Sequence, residues 1–145
     1  MVEFAISMPV IFLLMFGAFE FGRLMTQYSA LNDGVRNAAR YVAGKALNGT
    51  AGGMATGAQW TTLQQEGENL AVYGNIAGTG SPIFPGLTVV NGHVTVSQDT
   101  AALTITVSAN YTYASLFGGN AIPTFMGGSI ATNYPLTIST TMRAL

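Results

Sequence analysis

The sequence predicts an α+β protein: a long N-terminal helix, hydrophobic then amphipathic, packed on a small, mostly antiparallel β-sheet head. Three observations carry this. The opening MVEFAISMPVIFLLMFGAFEFGRLM has no charged residue between Phe4 and Phe19. The next stretch, TQYSALNDGVRNAARYVAGKAL, places its apolar residues at helical spacing. From Leu87 onward the period drops to two, as half-buried strands require. The chain is therefore expected to divide into a stem over residues 1–47 and a β-rich head over residues 48–145.

Composition narrows the function classes. At 145 residues the chain has room for one modest domain and an appendage. Charged residues make up 8%, against roughly 25% in an ordinary soluble domain. Gly, Thr, Ser and Asn supply the polarity instead, which suits a chain that packs against copies of itself. A formal charge of −1 offers no field to steer nucleic acid, so no nucleic-acid partner is expected. With no cysteine, disulfides, thiolate metal sites and a cysteine nucleophile are excluded. No basic region precedes the apolar run, where Glu3 stands, and no small-residue cleavage site follows it. The apolar segment is thus expected to persist in the working protein.

The charge-free run of sixteen residues is a little short of the ~20 needed to cross a bilayer. Extending it to Met25 takes in Glu20 and Arg23, three apart on one helix face, where they can neutralise one another near a membrane boundary. Pro9 lies inside the run and is expected to kink or locally open the helix. Gly17 and Gly22 are small enough for another helix to approach closely. Beyond Leu24 the stripe Leu24, Tyr28, Leu31, Val35, Ala38 and Val42 defines the amphipathic half. Gly44 and Asn48-Gly49 offer the stop. A continuous helix of this extent is roughly 65–70 Å long, so its second half is expected to pack on the head.

In the head, Thr50 to Gly57 reads as a loop. Thr61-Thr-Leu-Gln-Gln-Glu66 resembles a capping box opening a helix that runs to about Tyr73. Gly74 to Gly86, with Pro82 and Pro85, is expected to be irregular. Asn91-Gly92 between Leu87–Val90 and His93–Val96 predicts a two-residue hairpin. Asp99 predicts the next turn, leading into a strand over Leu103–Tyr113. Ala114 to Asn133 reads as a loop, and Tyr134 to Leu145 as the last of four strands.

Few residues suggest chemistry. His93 is the single histidine, has no ligand at metal spacing, and reads as a polar residue beside a turn. Glu66 and Glu68 point apart on a helix. Arg36, Arg40 and Lys45 make a weak basic face, solvated or paired with Asp33. No nucleophile–base pair, phosphate-cradling glycine pattern or metal cluster is present. No catalytic residue, metal or cofactor is expected, and the chain reads as a non-enzyme.

Glu3 is different. A carboxylate at a helix N-terminus is favoured by the helix dipole. If the helix is packed among copies, that carboxylate needs a cation. The free α-amino group of Met1 on a neighbouring subunit is of the right kind, and the pairing would set the axial register of a bundle.

Val2-Glu3-Phe4-Ala5, Pro9, Phe16-Gly17, Glu20-Phe21-Gly22-Arg23 and Ala38-Ala39-Arg40-Tyr41 together resemble the TadE/TadG-like group of type IV pilin-related proteins. The ordered likeness covers about the first 43 residues. It implies a pilin-like fold, removal of a leader by a prepilin peptidase, and handling by a tight-adherence pilus assembly machinery. It also implies storage in the bacterial inner membrane and extrusion into an extracellular filament. Glu3 matches the family's glutamate, at the third position where processed members carry theirs at the fifth. The assembly residues it suggests are Met1 through its N-terminal amine, Glu3, Phe4, Pro9, Gly17, Glu20 and Arg23. The favoured expectation is a structural subunit that polymerises with itself. The alternatives are a low-abundance minor pseudopilin priming or capping another pilus, and a single-pass membrane-anchored periplasmic binding module.

Overall fold

A computed structural model describes residues 2–48, 53–115, 121–124, 128–131 and 133–145. Its first element, α1 (Val2–Ala43), is 42 residues long, about 63 Å at 1.5 Å per residue. The helix runs through Pro9 without interruption. The chain is α+β, with the long apolar helix followed by strands and one further helix. It divides into two compact units, Met1–Tyr28 with Thr112–Pro135, and Ser29–Tyr111 with Leu136–Leu145.

Four of the six residues predicted for the amphipathic stripe enter the core of the second unit, while Leu24 is half-buried and Tyr28 is exposed. Leu31, Val35, Ala38 and Val42 are fully buried, each larger aliphatic worth roughly 1.5–3 kcal/mol when removed from water. Helix α2 (Ala58–Tyr73) lies so close to α1 that a Cβ on Gly34 would meet the Ala71 carbonyl oxygen at 2.9 Å. Gly67 is equally tight, since a Cβ there would stand 2.6 Å from Val42 Cγ2 and 3.3 Å from Val96 Cγ2. Both glycines weaken helix propensity, and both are required by interhelical and helix–sheet distance.

Helix α2 starts one turn earlier than the capping-box reading proposed. Gly57 is its N-cap and no side chain caps it. Thr61 and Thr62 sit inside the helix and donate to the carbonyls of Gly57 and Ala58, four residues back. Ahead of α2, β1 (Leu47–Asn48) pairs antiparallel with β2 (Gly53–Met54), a short ribbon in what reads from sequence as loop.

The sheet has three strands rather than four, in the order β3–β4–β7: β3 (Val94–Asp99), β4 (Thr104–Thr112) and β7 (Pro135–Arg143). β3 and β4 are antiparallel, with Val94 opposite Ala109 and Asp99 opposite Thr104. Asp99 Oδ1 accepts the N–H groups of Ala101 and Ala102, forming the turn its side chain predicts. One face buries Val94, Val96, Ile105, Val107, Ala109, Tyr111, Leu136 and Ile138. The other carries hydroxyls that pair across strands, Thr95 with Ser108 at 2.8 Å and Thr106 with Thr141 at 2.9 Å.

Leu87–Val90 is not a strand. The predicted two-residue hairpin at Asn91-Gly92 is replaced by a turn one residue earlier, over 89–92, in which Gly92 N–H bonds the Val89 carbonyl at 3.0 Å. Two competing bonds remove the ladder. Thr88 N–H donates to His93 Nδ1 at 3.2 Å, and the His93 carbonyl accepts from Asn110 N–H at 2.7 Å. Leu87 is fully buried while Val90 is 94% exposed, so the run anchors one end and leaves its tip in solvent. The Tyr111 hydroxyl donates to the Pro85 carbonyl at 2.9 Å, and the Tyr111 ring meets Phe84 and His93. His93 thus acts as the turn-side polar residue expected.

Lys45 bonds Tyr41 and stands 4.0 Å from Glu66, which accepts the Tyr41 hydroxyl at 2.8 Å. Its partners are these two rather than Asp33.

In the first unit, the stem's first 28 residues are joined by residues 112–135. Tyr113 N–H bonds the Tyr134 carbonyl at 2.9 Å and closes the base of this excursion. Where the sequence reads as loop, β5 (Ala121–Thr124) pairs antiparallel with β6 (Gly128–Ala131), Pro123 opposite Ser129. A proline is tolerated there because a two-stranded ribbon is all edge.

Candidate functional site

Among the described residues, α1 contains the one helix long and apolar enough to cross a membrane, over Ser7–Ala43, with a mean hydropathy of 1.6 in its best window. The stem presents that apolar surface openly. Val10 through Phe16, Phe19 and Phe21 are each between 38% and 69% exposed. Phe12 and Phe16, one turn apart, stack with ring centroids 6.1 Å apart. A monomeric soluble protein rarely leaves so continuous an apolar patch in water.

Gly17 and Gly22 lie in this surface, and a Cβ built on either would have nothing within 4 Å. Phe4 is 63% exposed and Pro9 is half-buried. Met1 lies outside the described residues, as do the side chain of Glu3 and therefore the proposed amine–carboxylate pairing.

Burial on the stem of the first unit begins at Glu20, which is 6% exposed although its neighbours Phe19 and Phe21 lie open. Glu20, Arg23 and Gln27 follow one another at helical spacing on one face, and Gln27 is also buried. Tyr113 meets both Glu20 and Arg23 on this face. Its hydroxyl donates to the Glu20 backbone carbonyl at 3.5 Å, and the Arg23 guanidinium lies over its ring, 5.6 Å from the centroid. Burial, and then the Glu20 side chain, push the Tyr113 phenol above its ordinary range, with Arg23 partly opposing. Arg23 Nη1 and Gln27 Oε1 are buried without a hydrogen-bond partner.

Tyr113 and Gln27 are the residues that sequence reasoning passed over. Gln27 carried a usable signal, lying seven residues beyond Glu20 and four beyond Arg23. Tyr113 carried none, since it reads as one more inward residue of a strand.

The stem is apolar and exposed, with Glu20 buried at its end and Arg23 half-buried one turn on. Residues 1–40 match the family of TadE-like proteins. The TadE-like match covers the whole exposed apolar window, Glu20, Arg23 and Gln27, and ends just inside the C-terminus of α1. Residues 41–145 lie beyond it. No curated protein and no solved structure matches the chain. The TadE-like stem points to a Tad pilus-associated protein, and its apolar helix fits membrane anchoring.

Proposed function

We propose that this chain is a structural pilin subunit, stored in the bacterial inner membrane and polymerised through α1 into an extracellular filament. The observation that supports this most is the stem surface from Val10 to Phe21, apolar and open along more than three helical turns. Such a surface needs lipid before assembly and other stems afterwards, and the hydrophobic effect drives both. Repetition of one stem-to-stem contact generates a helical polymer. Gly17 and Gly22 are the positions where a neighbouring helix can come closest, and Met1 and Glu3 are the pair that sets the register between subunits. A prepilin peptidase and the tight-adherence assembly machinery act on the subunit, whose role is structural rather than catalytic.

The test is mass spectrometry and helical reconstruction of sheared surface fibres. The expected result is that this chain is the main protein component and that Glu3 faces an N-terminal amine. A trace amount in fibres built of another subunit would instead establish the minor, priming or capping role. That second reading is favoured by the family match ending at residue 40, which leaves a full head outside it. Retention of all the protein in membranes after shearing would leave only an anchored periplasmic module. Glu3→Ala is expected to reduce fibre yield at unchanged subunit abundance, and an unchanged yield would refute the amine pairing.

A further inference from the structure

We infer that β7 is a pairing edge, through which two copies of this chain join head to head. The β7 strands add to one another antiparallel, across a twofold at Ser139. This rests on the sheet and not on the destination of the stem. The Tyr113 N–H bonds the Tyr134 carbonyl, the Ala144 N–H bonds the Leu103 carbonyl, and the Thr106 and Thr141 hydroxyls meet. All three fit one antiparallel register, in which the even-numbered residues of β7 bond β4. The N–H and C=O groups of Thr137, Ser139, Thr141 and Arg143 therefore point away from the sheet. β7 stands at the end of the order β3–β4–β7, and among the described residues no backbone group bonds that outer row. The same four residues are exposed, alternating with buried Leu136 and Ile138.

The opposite edge of the sheet is closed. Asn110 N–H bonds the His93 carbonyl, so Thr95, Ser97 and Asp99 bond β4, and Val94, Val96 and Gln98 point outward. The Glu68 carboxylate of α2 accepts the Val96 N–H, and α2 packs along β3. Sheets protect an edge with such a cover, or with charge, proline or a bulge in the strand itself. Between Leu136 and Met142, β7 carries no charge, proline or glycine. Its 9 residues also exceed the ~5–6 of an ordinary strand. A long, neutral, unprotected edge is a template for another strand.

The strand that fits this edge is β7 itself. With Ser139 opposite Ser139 of the second copy, Thr137 stands opposite the second copy's Thr141 on the exposed face. Hydroxyl pairs of this kind already cross the sheet, Thr95 to Ser108 at 2.8 Å and Thr106 to Thr141 at 2.9 Å. The pairing continues that pattern over the junction. On the other face Leu136 meets Met142, and Ile138 meets Thr140. Arg143 falls opposite Pro135, so the one charge of each strand does not meet its like. Roughly six backbone hydrogen bonds form, exchanged in twos at Ser139 and at the Thr137–Thr141 pairs on either side. The β3 of another copy cannot take this place, because Glu68 and α2 occupy its edge. A contact between like surfaces closes on itself, so it pairs two heads and adds nothing to the stem-to-stem polymer.

Disulfide crosslinking tests this on the full chain in detergent micelles, and the chain has no cysteine of its own. Ser139→Cys sets the two thiols opposite each other, on Cα atoms about 5.5 Å apart and within disulfide reach. Oxidation with copper phenanthroline is expected to give dimer as the main band on a non-reducing gel. Thr95→Cys, exposed on β3, is expected to give several-fold less. Thr137→Cys and Thr141→Cys are expected to crosslink when mixed, and hardly at all when oxidised apart. Ser139→Pro removes an outward N–H and no bond to β4, so in the mixed pair it is expected to abolish the crosslink. Ser139→Lys sets like charges face to face, and is expected to do the same should the proline variant misfold by circular dichroism.

Equal crosslinking at residues 95 and 139 overturns the pairing, since it reports collision alone. No dimer at residue 139, in a variant that melts as the unaltered chain does, also overturns it. So does a crosslink that survives both Ser139→Pro and Ser139→Lys, which would place the contact off the backbone of β7. Strong crosslinking of Thr137→Cys by itself overturns the twofold at Ser139. None of these outcomes touches the stem polymer, which is read from fibre yield.

Discussion

The Tyr113 hydroxyl donates to the backbone carbonyl of Glu20 across 93 residues of sequence, at 3.5 Å and in a buried setting. This one long hydrogen bond, with Arg23 over the same ring, fastens Tyr113 to the stem. It lies where the apolar window ends and the first charged residues of the helix after Glu3 begin.

Tyr113→Phe is expected to lower stability by about 1 kcal/mol, the usual net worth of one hydrogen bond. For a chain of this size the midpoint would fall by about 2–4 °C. Tyr113→Ala is expected to cost about 3–5 kcal/mol, because a buried ring is lost and a cavity remains. Thermal melts in detergent followed by circular dichroism check both, and equal midpoints for the two variants would show that the ring is not packed.

The same residue sets an alkaline limit. Burial and the Glu20 side chain hold the folded phenol above its ordinary range, while an unfolded tyrosine ionises near 10. For a group whose folded pKa is raised, the stabilisation is complete below the unfolded value and is lost as pH rises through the folded one. Stability is therefore expected to be flat to about pH 9 and to decline above 10. Tyr113→Phe should remove this component of the decline. The check is a pair of midpoint-against-pH curves, and parallel curves would place the loss elsewhere.

Gly34→Ala tests the approach of α2 to α1. Alanine gains about 1 kcal/mol in helix propensity, but its Cβ would press on the Ala71 carbonyl oxygen at 2.9 Å. That contact sets a Cβ against helix backbone and has little freedom to relax, so overpacking of about 1–3 kcal/mol is expected to win. Gly67→Ala, against Val42 Cγ2 at 2.6 Å, should behave alike. Denaturant midpoints measure this, and a rise for either variant would contradict the packing.

Gly17 separates folding from assembly. A Cβ there meets nothing within 4 Å, so Gly17→Leu is expected to change subunit stability by no more than about 0.5 kcal/mol. If stems pack through this face, the same variant should cut fibre yield several-fold by holding the backbones apart. Normal yield of sheared fibres would move the contact to another face.

Gln27→Leu is expected to raise the melting midpoint. The amide oxygen of Gln27 is buried without a hydrogen-bond partner, a penalty of about 1–3 kcal/mol that leucine removes. A lowered midpoint would mean that the amide has a role the buried oxygen does not reveal.

By itself, the sequence determined the elements whose signal is local. Leu31, Val35, Ala38 and Val42 repeat at helical spacing, so one face of α1 had to be buried, and it is. Alternation over Ile105–Tyr111 and Leu136–Ile138 sorts inward from outward residues because successive side chains in a strand point to opposite faces. Asp99 forms its turn from its own side chain. The apolar run from Phe4 to Phe19 foretold a surface that water would not keep.

Tertiary structure decided whatever depends on a partner distant in sequence. Leu87–Val90 has strand residues and a turn after it, yet Thr88 N–H goes to the His93 ring and Leu87 is buried, so side-chain contacts rather than a ladder hold the run. Gly34 and Gly67 look like helix weaknesses until Ala71, Val42 and Val96 stand where a Cβ would be. Glu20 and Arg23 read as a self-sufficient pair until Tyr113 arrives from 93 residues away. Local spacing fixes which face of an element is apolar, since that follows from its geometry alone. Which segment covers that face, or whether lipid or another subunit does, is set by long-range packing that spacing does not encode.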